Sequence, residues 1–322
     1  MKTVIFDKCT VVKDNDVDLS PISKLTQTEI YDLVSRDELI KAAEDADIII
    51  CNKAVIDKEI FNKLNNLKYI GLFATGYNNI DLDTANQKGV FVANAPNYST
   101  DSVAQQTFAF ILSLATSVHR YNKSVHSGEW CRSASFTYLT EQMNEIKGKT
   151  LGILGFGAIG KAVAKIADAF GMRVIVHTRT KPNNCKYELV SLDELFMQSD
   201  FLTLHCPLTP QTQGIVNKDT LSLMKPSAYL INTSRGGAVV EQDLCDALNS
   251  GIIAGAGLDV VAIEPMREDN PLLKANNILI TPHTAWATFE ARCRLIDIVA
   301  DNLASFLSGA PKNIVNSPKA VK

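Results

Sequence analysis

At 322 residues, the chain is long enough for about two domains, each with its own core, which excludes a small disulfide-stapled scaffold. Hydrophobic residues make up 46% and charged residues 21%, a globular balance that excludes a disordered, collagen-like or long coiled-coil chain. The 32 Lys+Arg against 35 Asp+Glu leave a net charge of −3, without the basic excess that phosphate backbones or anionic lipid demand, so no nucleic acid and no membrane are expected as partners.

The chain opens on Met1-Lys2-Thr3-Val4-Ile5-Phe6-Asp7, whose apolar run is too short for a signal peptide before a carboxylate interrupts it. From there, short β-branched runs alternate with stretches of helical period, the pattern of an α/β protein with parallel sheets. Strands are predicted at Val4 to Phe6, Asp47 to Cys51, Tyr69 to Phe73 and Val90 to Asn94, with helices at Asp37 to Glu44 and Asp57 to Asn65. A long helix is predicted from Thr100 to Tyr121, with Ser99, Thr100 and Asp101 as cap candidates. Its apolar residues, Val103, Phe108, Ile111, Leu112, Leu114 and Val118, lie on more than one side, so burial in a core or a subunit interface is expected. Ser127 to Gly148 lacks periodicity and reads as a loop, with Trp130, Phe136 and Tyr138 available for packing.

A second α/β pattern supplies candidate strands at Leu151 to Leu154, Arg173 to His177, Phe201 to Leu204, Ala228 to Asn232, Gly255 to Leu258 and Ile278 to Thr281. Six is the strand count of a complete dinucleotide-binding fold. A final helix, Thr288 to Ser308, stops at Gly309 with Pro311 beyond it. The seven cysteines are dispersed without a Cys-x-x-Cys pair, so neither a zinc site nor a redox dithiol is expected, and reduced thiols in a cytoplasmic protein are.

Directly after the strand ending at Leu154 comes Gly155-Phe156-Gly157-Ala158-Ile159-Gly160, then a helical stretch. In that context the first glycine makes the turn, the second lets a pyrophosphate approach the backbone, and the third permits close helix–strand packing. The plain alternative is a turn that merely tolerates glycine. The next strand should end in an acidic residue for the adenosine ribose. Instead, Met172 to Lys181 holds no Asp or Glu, and the strand ends in His177-Thr178-Arg179-Thr180-Lys181. Hydroxyls and cations there suit a 2′-phosphate, so NADP is favoured over NAD; an ordinary solvated loop is the rival reading.

Ligands of open α/β sheets bind beyond the carboxyl ends of the strands. There the sequence places His205, then Thr233-Ser234-Arg235-Gly236-Gly237, then Asp259 with Glu264 a few residues on, and finally His283. Together they suit reduction of a 2-keto acid: Arg235 could hold a carboxylate with its forked donors, and His283 could deliver a proton to the carbonyl oxygen. Glu264 paired with the imidazole would favour and orient the imidazolium. Any one of them alone could be a structural ion pair.

With GFGAIG at 155–160, LHCPLT at 204–209, NTSRGG at 232–237, GLDVVAIEP at 257–265, TPHTAW at 281–286 and ATGYNNID at 74–81, the chain resembles the D-isomer-specific 2-hydroxyacid dehydrogenases over nearly its whole length. NYSTDSVAQQT at 97–107, Trp286 and the ending around Ala291 to Asn316 are most similar to the glycerate dehydrogenase, or hydroxypyruvate reductase, branch. The resemblance implies Arg235, Glu264 and His283 as catalytic residues and Asp259 as a nicotinamide contact. It further implies cofactor contacts from the glycine turn, Thr178, Arg179, Thr180, His205, Cys206, Pro207, Thr212, Thr233, Ser234 and Ala285. It also implies a Rossmann domain at 101–287 inserted into a flavodoxin-like substrate domain made of 1–100 and 288–322, and a homodimer joined largely through the long helix. Thr178 departs from the family, where many relatives carry Asp.

The resemblance places Ala74, Thr75 and Gly76 where backbone amides meet the substrate carboxylate, and glycine would allow the close approach; an ordinary strand-to-helix turn is the alternative. Asn52 and Lys53 end another strand and could face the substrate, although Lys53 would serve equally as a surface cation. Trp286 could wall the pocket, with core packing as its rival. His119 and His126 show no partner pattern, His177 belongs with the cofactor strand, and His205 is expected to pack rather than transfer protons. No metal constellation is visible. The expected function is reduction of hydroxypyruvate or glyoxylate with NAD(P)H; the alternative is a dinucleotide-sensing binding protein or co-regulator that keeps the dehydrogenase fold.

Overall fold

A run such as Ile48-Ile49-Ile50-Cys51 has no polar face to turn to water, so it is stable only as a strand covered on both sides, and in the computed structural model all four residues are buried. The structure describes residues 1–182 and 184–318; the end of the expected carboxyl-terminal piece, 319–322, lies outside the described residues. By its contacts the chain divides into two units, 1–99 with 287–322, and 100–286.

The first unit contains, in chain order, β1 (Lys2–Ile5), α1 (Ser20–Ser23), β2 (Gln27–Ile30), α2 (Arg36–Ala43), β3 (Ile48–Cys51), α3 (Lys58–Lys63), β4 (Tyr69–Leu72), α4 (Leu82–Lys88) and β5 (Phe91–Ala93). Its strands form one parallel sheet in the order β2-β1-β3-β4-β5, a flavodoxin-like arrangement whose order reverses between β1 and β3. Local chemistry sets the helix starts: Ser35 and Glu38 form a capping box on α2, and Asp57 and Asp81 accept from the first turns of α3 and α4. The carboxyl-terminal helix, Phe289–Leu307, covers this sheet, with Phe306 stacked on Tyr69 at 4.6 Å between ring centroids. β2 had no sequence signal because Gln27-Thr28-Glu29-Ile30 is an edge strand with no buried residue.

The second unit runs α5 (Thr100–Thr116), α6 (Val118–His126), β6 (Thr150–Leu154), α7 (Ala158–Ala169), β7 (Arg173–His177), β8 (Glu188–Leu189), α8 (Leu192–Gln198), β9 (Phe201–Leu204), α9 (Lys218–Ser222), β10 (Tyr229–Asn232), α10 (Glu241–Asn249), β11 (Gly255–Leu258) and β12 (Ile278–Ile280); the carboxyl-terminal helix of the first unit is thus α11. The sheet order is β12-β11-β10-β9-β6-β7-β8. Counted from β6 this is the doubly wound dinucleotide-binding order with a seventh strand added at one edge, and its switch point falls between β6 and β9.

Two expectations for this unit need correction. Among the described residues there are seven strands rather than six: β8 is an edge pair, Glu188–Leu189, with both residues exposed, so no apolar run announced it, and the strand expected third is the fourth. The single helix expected from Thr100 to Tyr121 is broken at Ser117, which adopts a left-handed conformation at φ 51°. The burial expected for the long helix is largely supplied within the unit: Phe108, Phe110, Ile111 and Leu114 of α5 pack with Ile153 of β6 and Val163 of α7. The segment expected to be a loop holds only a short 3-10 turn, Trp130–Arg132.

Candidate active site

At the switch point the chain meets itself at backbone distance. Gly155 has φ 94°, and a Cβ there would lie 2.7 Å from the Cys206 nitrogen and the His205 carbonyl carbon. A Cβ on Gly160 would lie 2.3 Å from the Gly155 oxygen, so α7 sits against the turn as only glycine allows. Gly157 is the opposite case: it caps α7 without a side-chain bond, and a Cβ there would meet nothing within 4 Å. The amides of the first turn of α7, flanked by Ala158 and Ile159, therefore open onto free space, as an anion-binding helix start requires.

The neighbouring strand ends provide the remaining fit to a dinucleotide. Beyond β7, Thr178 is half-buried while Arg179, Thr180 and Lys181 are exposed, and neither cation has an ionic partner among the described residues. His177 turns aside, its Nδ1 donating to the Val190 carbonyl at 3.0 Å. Beyond β9, both ring nitrogens of His205 are buried with no hydrogen-bond partner among the described residues, and burial pushes the imidazole pKa down to about 3. It is thus neutral near pH 7 and unsuited to proton delivery. A buried ring with two unmet polar atoms next to the glycine turn fits a site completed by a polar ligand. Cys206 is buried, and desolvation raises its thiol pKa. The Thr212 hydroxyl donates to the Pro207 carbonyl at 2.7 Å and ties that loop to itself.

Three parallel strands in register bring the chemical groups to one edge: Asn232 of β10 pairs with Leu258 of β11, and Leu258 with Ile280 of β12. Just beyond these ends stand Arg235, Asp259 and His283. Buried Asn232 shapes the first turn, its Nδ2 donating to the Arg235 carbonyl at 2.9 Å and its Oδ1 accepting from the Ser234 amide and hydroxyl. Thr233 is fastened to α5 through the Thr107 hydroxyl at 3.1 Å. The hydroxyls of Thr233 and Ser234 are therefore both engaged within the protein. The half-buried guanidinium of Arg235 bonds only the Ser234 carbonyl, at 2.7 Å, and meets no carboxylate among the described residues.

His283 Nδ1 lies 2.6 Å from Glu264 Oε2, while Oε1 of the same carboxylate accepts the Val261 amide at 3.2 Å. The pairing fixes the ring and leaves Nε2 with no partner among the described residues. The histidine backbone is held in the left-handed region at φ 54°, a conformation that costs free energy and persists because its surroundings dictate it. Its amide donates to the Asp259 carbonyl at 2.8 Å, and its carbonyl accepts from Trp286 Nε1 at 2.9 Å. Asp259, 1% exposed, takes the Thr281 hydroxyl and Thr284 amide on Oδ1 and the Ala285 amide on Oδ2. The Ala285 carbonyl accepts from Ser102 of α5 at 2.5 Å.

Comparison with known proteins shows the family. The family described as "D-isomer specific 2-hydroxyacid dehydrogenase, NAD binding domain" matches residues 108–285. A hydroxypyruvate reductase of Blautia hydrogenotrophica is 45% identical over 98% of this chain and 100% of its own. The chain belongs to the D-isomer specific 2-hydroxyacid dehydrogenases. A glycerate dehydrogenase of Methylorubrum extorquens is 39% identical over 87% of this chain and 89% of its own. Among solved structures, an NADPH-dependent glyoxylate/hydroxypyruvate reductase of Sinorhizobium meliloti superposes with a TM-score of 0.84 at 27% identity, covering 98% of each chain. The protein is therefore an NAD(P)-dependent oxidoreductase of 2-keto and 2-hydroxy acids.

In the first unit of this dehydrogenase, the loop after β3 is strapped down by a residue the motifs did not point to. Asp7, buried and at φ 64°, accepts the amides of Asn52, Lys53 and Ala54 on one oxygen at 3.0, 2.7 and 2.8 Å. The Asn52 side chain donates to Thr10 at 2.8 Å, so it serves the loop. After β4, Thr75 Oγ1 donates to the Ala95 carbonyl and the Ala74 carbonyl accepts the Ala95 amide, which fixes the turn leading to Gly76. Among the described residues no cluster of three His, Cys, Asp or Glu could hold a metal ion, and no helix is long and apolar enough to cross a membrane.

Proposed function

We propose that the protein reduces hydroxypyruvate to D-glycerate, and glyoxylate to glycolate, with NADPH preferred over NADH. The observation that carries this reading is an Arg235 that, among the described residues, has no counter-ion, together with a Glu264–His283 couple whose Nε2 has no partner among them. A half-buried unpaired guanidinium is costly unless an anion completes it, and a planar carboxylate matches its fork. The names borne by the relatives from Blautia and Methylorubrum support the substrate choice. NADPH preference is supported by the absence of any Asp or Glu from Met172 to Lys181 and by Arg179 and Lys181, which have no ionic partner among the described residues.

Arg235 binds the substrate carboxylate and draws electron density from the adjacent carbonyl. Within the first unit, the amides at Ala74, Thr75 and Gly76 and the Lys53 side chain are the groups suited to an anionic substrate. A bound reduced dinucleotide supplies the hydride. The proton that balances it comes from His283 Nε2 and goes to the carbonyl oxygen, while the Glu264 carboxylate on Nδ1 holds the plane of the ring. The neutral imidazole left afterwards takes a proton from water, or accepts one from a hydroxy acid in the reverse direction. Asp259 keeps His283 and Ala285 in place, and the start of α7 receives the pyrophosphate.

We also place the protein in the cytoplasm as a homodimer. All seven cysteines are free, as in a reducing compartment. Val118, Val125, Trp130, Phe136, Leu139 and Met143 are exposed together along α6 and the loop after it, an apolar stretch suited to a second copy. The deciding experiment mixes purified protein with NADPH or NADH and hydroxypyruvate, glyoxylate, pyruvate or phosphohydroxypyruvate, and follows absorbance of the reduced cofactor. The highest kcat/KM is expected for hydroxypyruvate with NADPH. No turnover with any pair would favour a dinucleotide sensor instead.

A further inference from the structure

Glu264 rides on a largely exposed loop, in which Met266 packs against the core. Between buried Val261 and buried Asn270, residues Ala262, Ile263, Glu264 and Pro265 are all exposed, and Ile263 is 56% accessible. A surface segment of this kind would ordinarily sample several conformations. Its two feet, however, rest on one carboxylate: Glu241 Oε1 accepts the Ala262 amide at 2.7 Å, and Oε2 accepts Asn270 Nδ2 at 3.0 Å. Asn270 in turn caps the following 3-10 turn through the Leu272 amide at 2.9 Å.

We propose that Glu241 is a positioning residue for the Glu264–His283 couple, acting by tying together both ends of the loop that carries Glu264. This rests on the catalytic reading of that couple given above. The path is short and continuous. Glu241 holds Ala262, the adjoining Val261 amide donates to Glu264 Oε1 at 3.2 Å, and Glu264 Oε2 holds His283 Nδ1 at 2.6 Å. Glu241 also begins α10, directly downstream of the turn that bears Arg235, so one stretch of chain places the anion clamp at one end and the anchor of the acid–base pair at the other. A carboxylate in a first helical turn could serve the helix dipole alone, but that role would not require both oxygens to be directed at the two feet of a distant loop. Nor is Glu241 in an ion pair among the described residues, so its bonds to the loop are its principal polar contacts.

The test compares Glu241→Ala and Glu241→Gln with wild type in single-turnover keto-acid reduction, in H₂O and D₂O, alongside KM for the reduced dinucleotide. Misplacing Glu264 by a fraction of an ångström should slow Glu241→Ala by about 10- to 100-fold and raise the solvent isotope effect, because proton delivery becomes limiting. Dinucleotide KM should stay within about twofold of wild type. Glu241→Gln keeps one acceptor and should fall between the two; should the alanine variant not fold, the glutamine variant decides alone. Wild-type rates and isotope effects in a folded variant overturn the proposal even if the melting temperature falls, as does a loss confined to dinucleotide KM. Glu264→Gln is run in parallel. If it abolishes turnover while the Glu241 variants do not, only the positioning role has failed; if it too leaves rate and isotope effect unchanged, the catalytic reading has failed.

Discussion

One added methyl group at Gly236 should disturb both halves of the proposed catalytic edge. A Cβ there would lie 1.9 Å from the Val261 carbonyl carbon, 2.0 Å from its oxygen and 2.5 Å from the Ala262 nitrogen. These are backbone atoms, so no rotamer change can relieve the clash. Ordinary contact begins at 3.4 Å, and 3.4 less 1.9 means that the two chain segments must separate by about 1.5 Å in Gly236→Ala. Overpacking of this kind costs about 1–3 kcal/mol, and for a unit of this size each kcal/mol lowers the melting temperature by about 2–4 °C. The larger effect should be on turnover, since Arg235 precedes the glycine and Glu264 follows the displaced peptide. A shift of about 1 Å at reacting groups can cost roughly 100-fold in rate. Steady-state reduction of hydroxypyruvate and a thermal melt measure the two effects. A variant with wild-type kcat/KM and an unchanged melting temperature would refute the claim that these segments are locked at backbone distance.

The other substitutions probe separate groups. Arg235→Ala should lower kcat/KM for keto acid by roughly 10- to 150-fold, the equivalent of about 1.5–3 kcal/mol for a lost charge-assisted bond, without weakening dinucleotide binding in a fluorescence titration; unchanged efficiency would remove it as the clamp. Thr178→Asp should shift the ratio of kcat/KM values from NADPH toward NADH, and an unaltered ratio would show that 2′-phosphate is not read at this strand end. His205, with its pKa depressed from 6.5 to about 3 by burial, contributes stability that is present above 6.5 and lost as pH falls through that window toward 3, because the unfolded chain takes up a proton the fold refuses. Acidifying the dinucleotide-free protein from about pH 7 to about pH 4 should therefore lower wild-type stability more than that of His205→Gln in urea melts; parallel losses would contradict the assignment.

What could be read in advance followed local chemistry. The strands of both cores were legible because their residues are apolar and β-branched, and the glycine turn because each glycine meets a distinct steric demand. β2 and β8 were not, since edge strands with exposed residues carry no hydrophobic period. The break at Ser117 also escaped, because a serine at φ 51° is imposed by packing and lacks the glycine that usually announces a left-handed residue. Among site residues, those at strand ends could be picked out. Asp7 and Glu241 could not: each acts on a backbone segment distant in sequence, Asp7 on Asn52 to Ala54 and Glu241 on Ala262 and Asn270, and a lone acid has no motif.

The same distinction explains how the carboxylates divide their work. Asp259 is buried and spends both oxygens on the 281–285 segment, so its charge is matched by protein donors, and its first task is to hold the strained His283 backbone. Glu264 is more exposed, with 35% of its side chain accessible, and gives one oxygen to its own loop and the other to the imidazole. Arg235 has no counter-charge among the described residues. The buried carboxylate is thus engaged in building the frame, which leaves the Arg235 guanidinium and the His283 imidazole, in the proposed reaction, to meet the carboxylate and developing alkoxide of a keto acid. If Asp259 were instead one more reacting group, Asp259→Asn would act mainly on the chemistry. Since the amide would present two donors to Thr284 or Ala285 where acceptors are needed, its dominant effect should be to release the 281–285 segment and lower stability together with turnover.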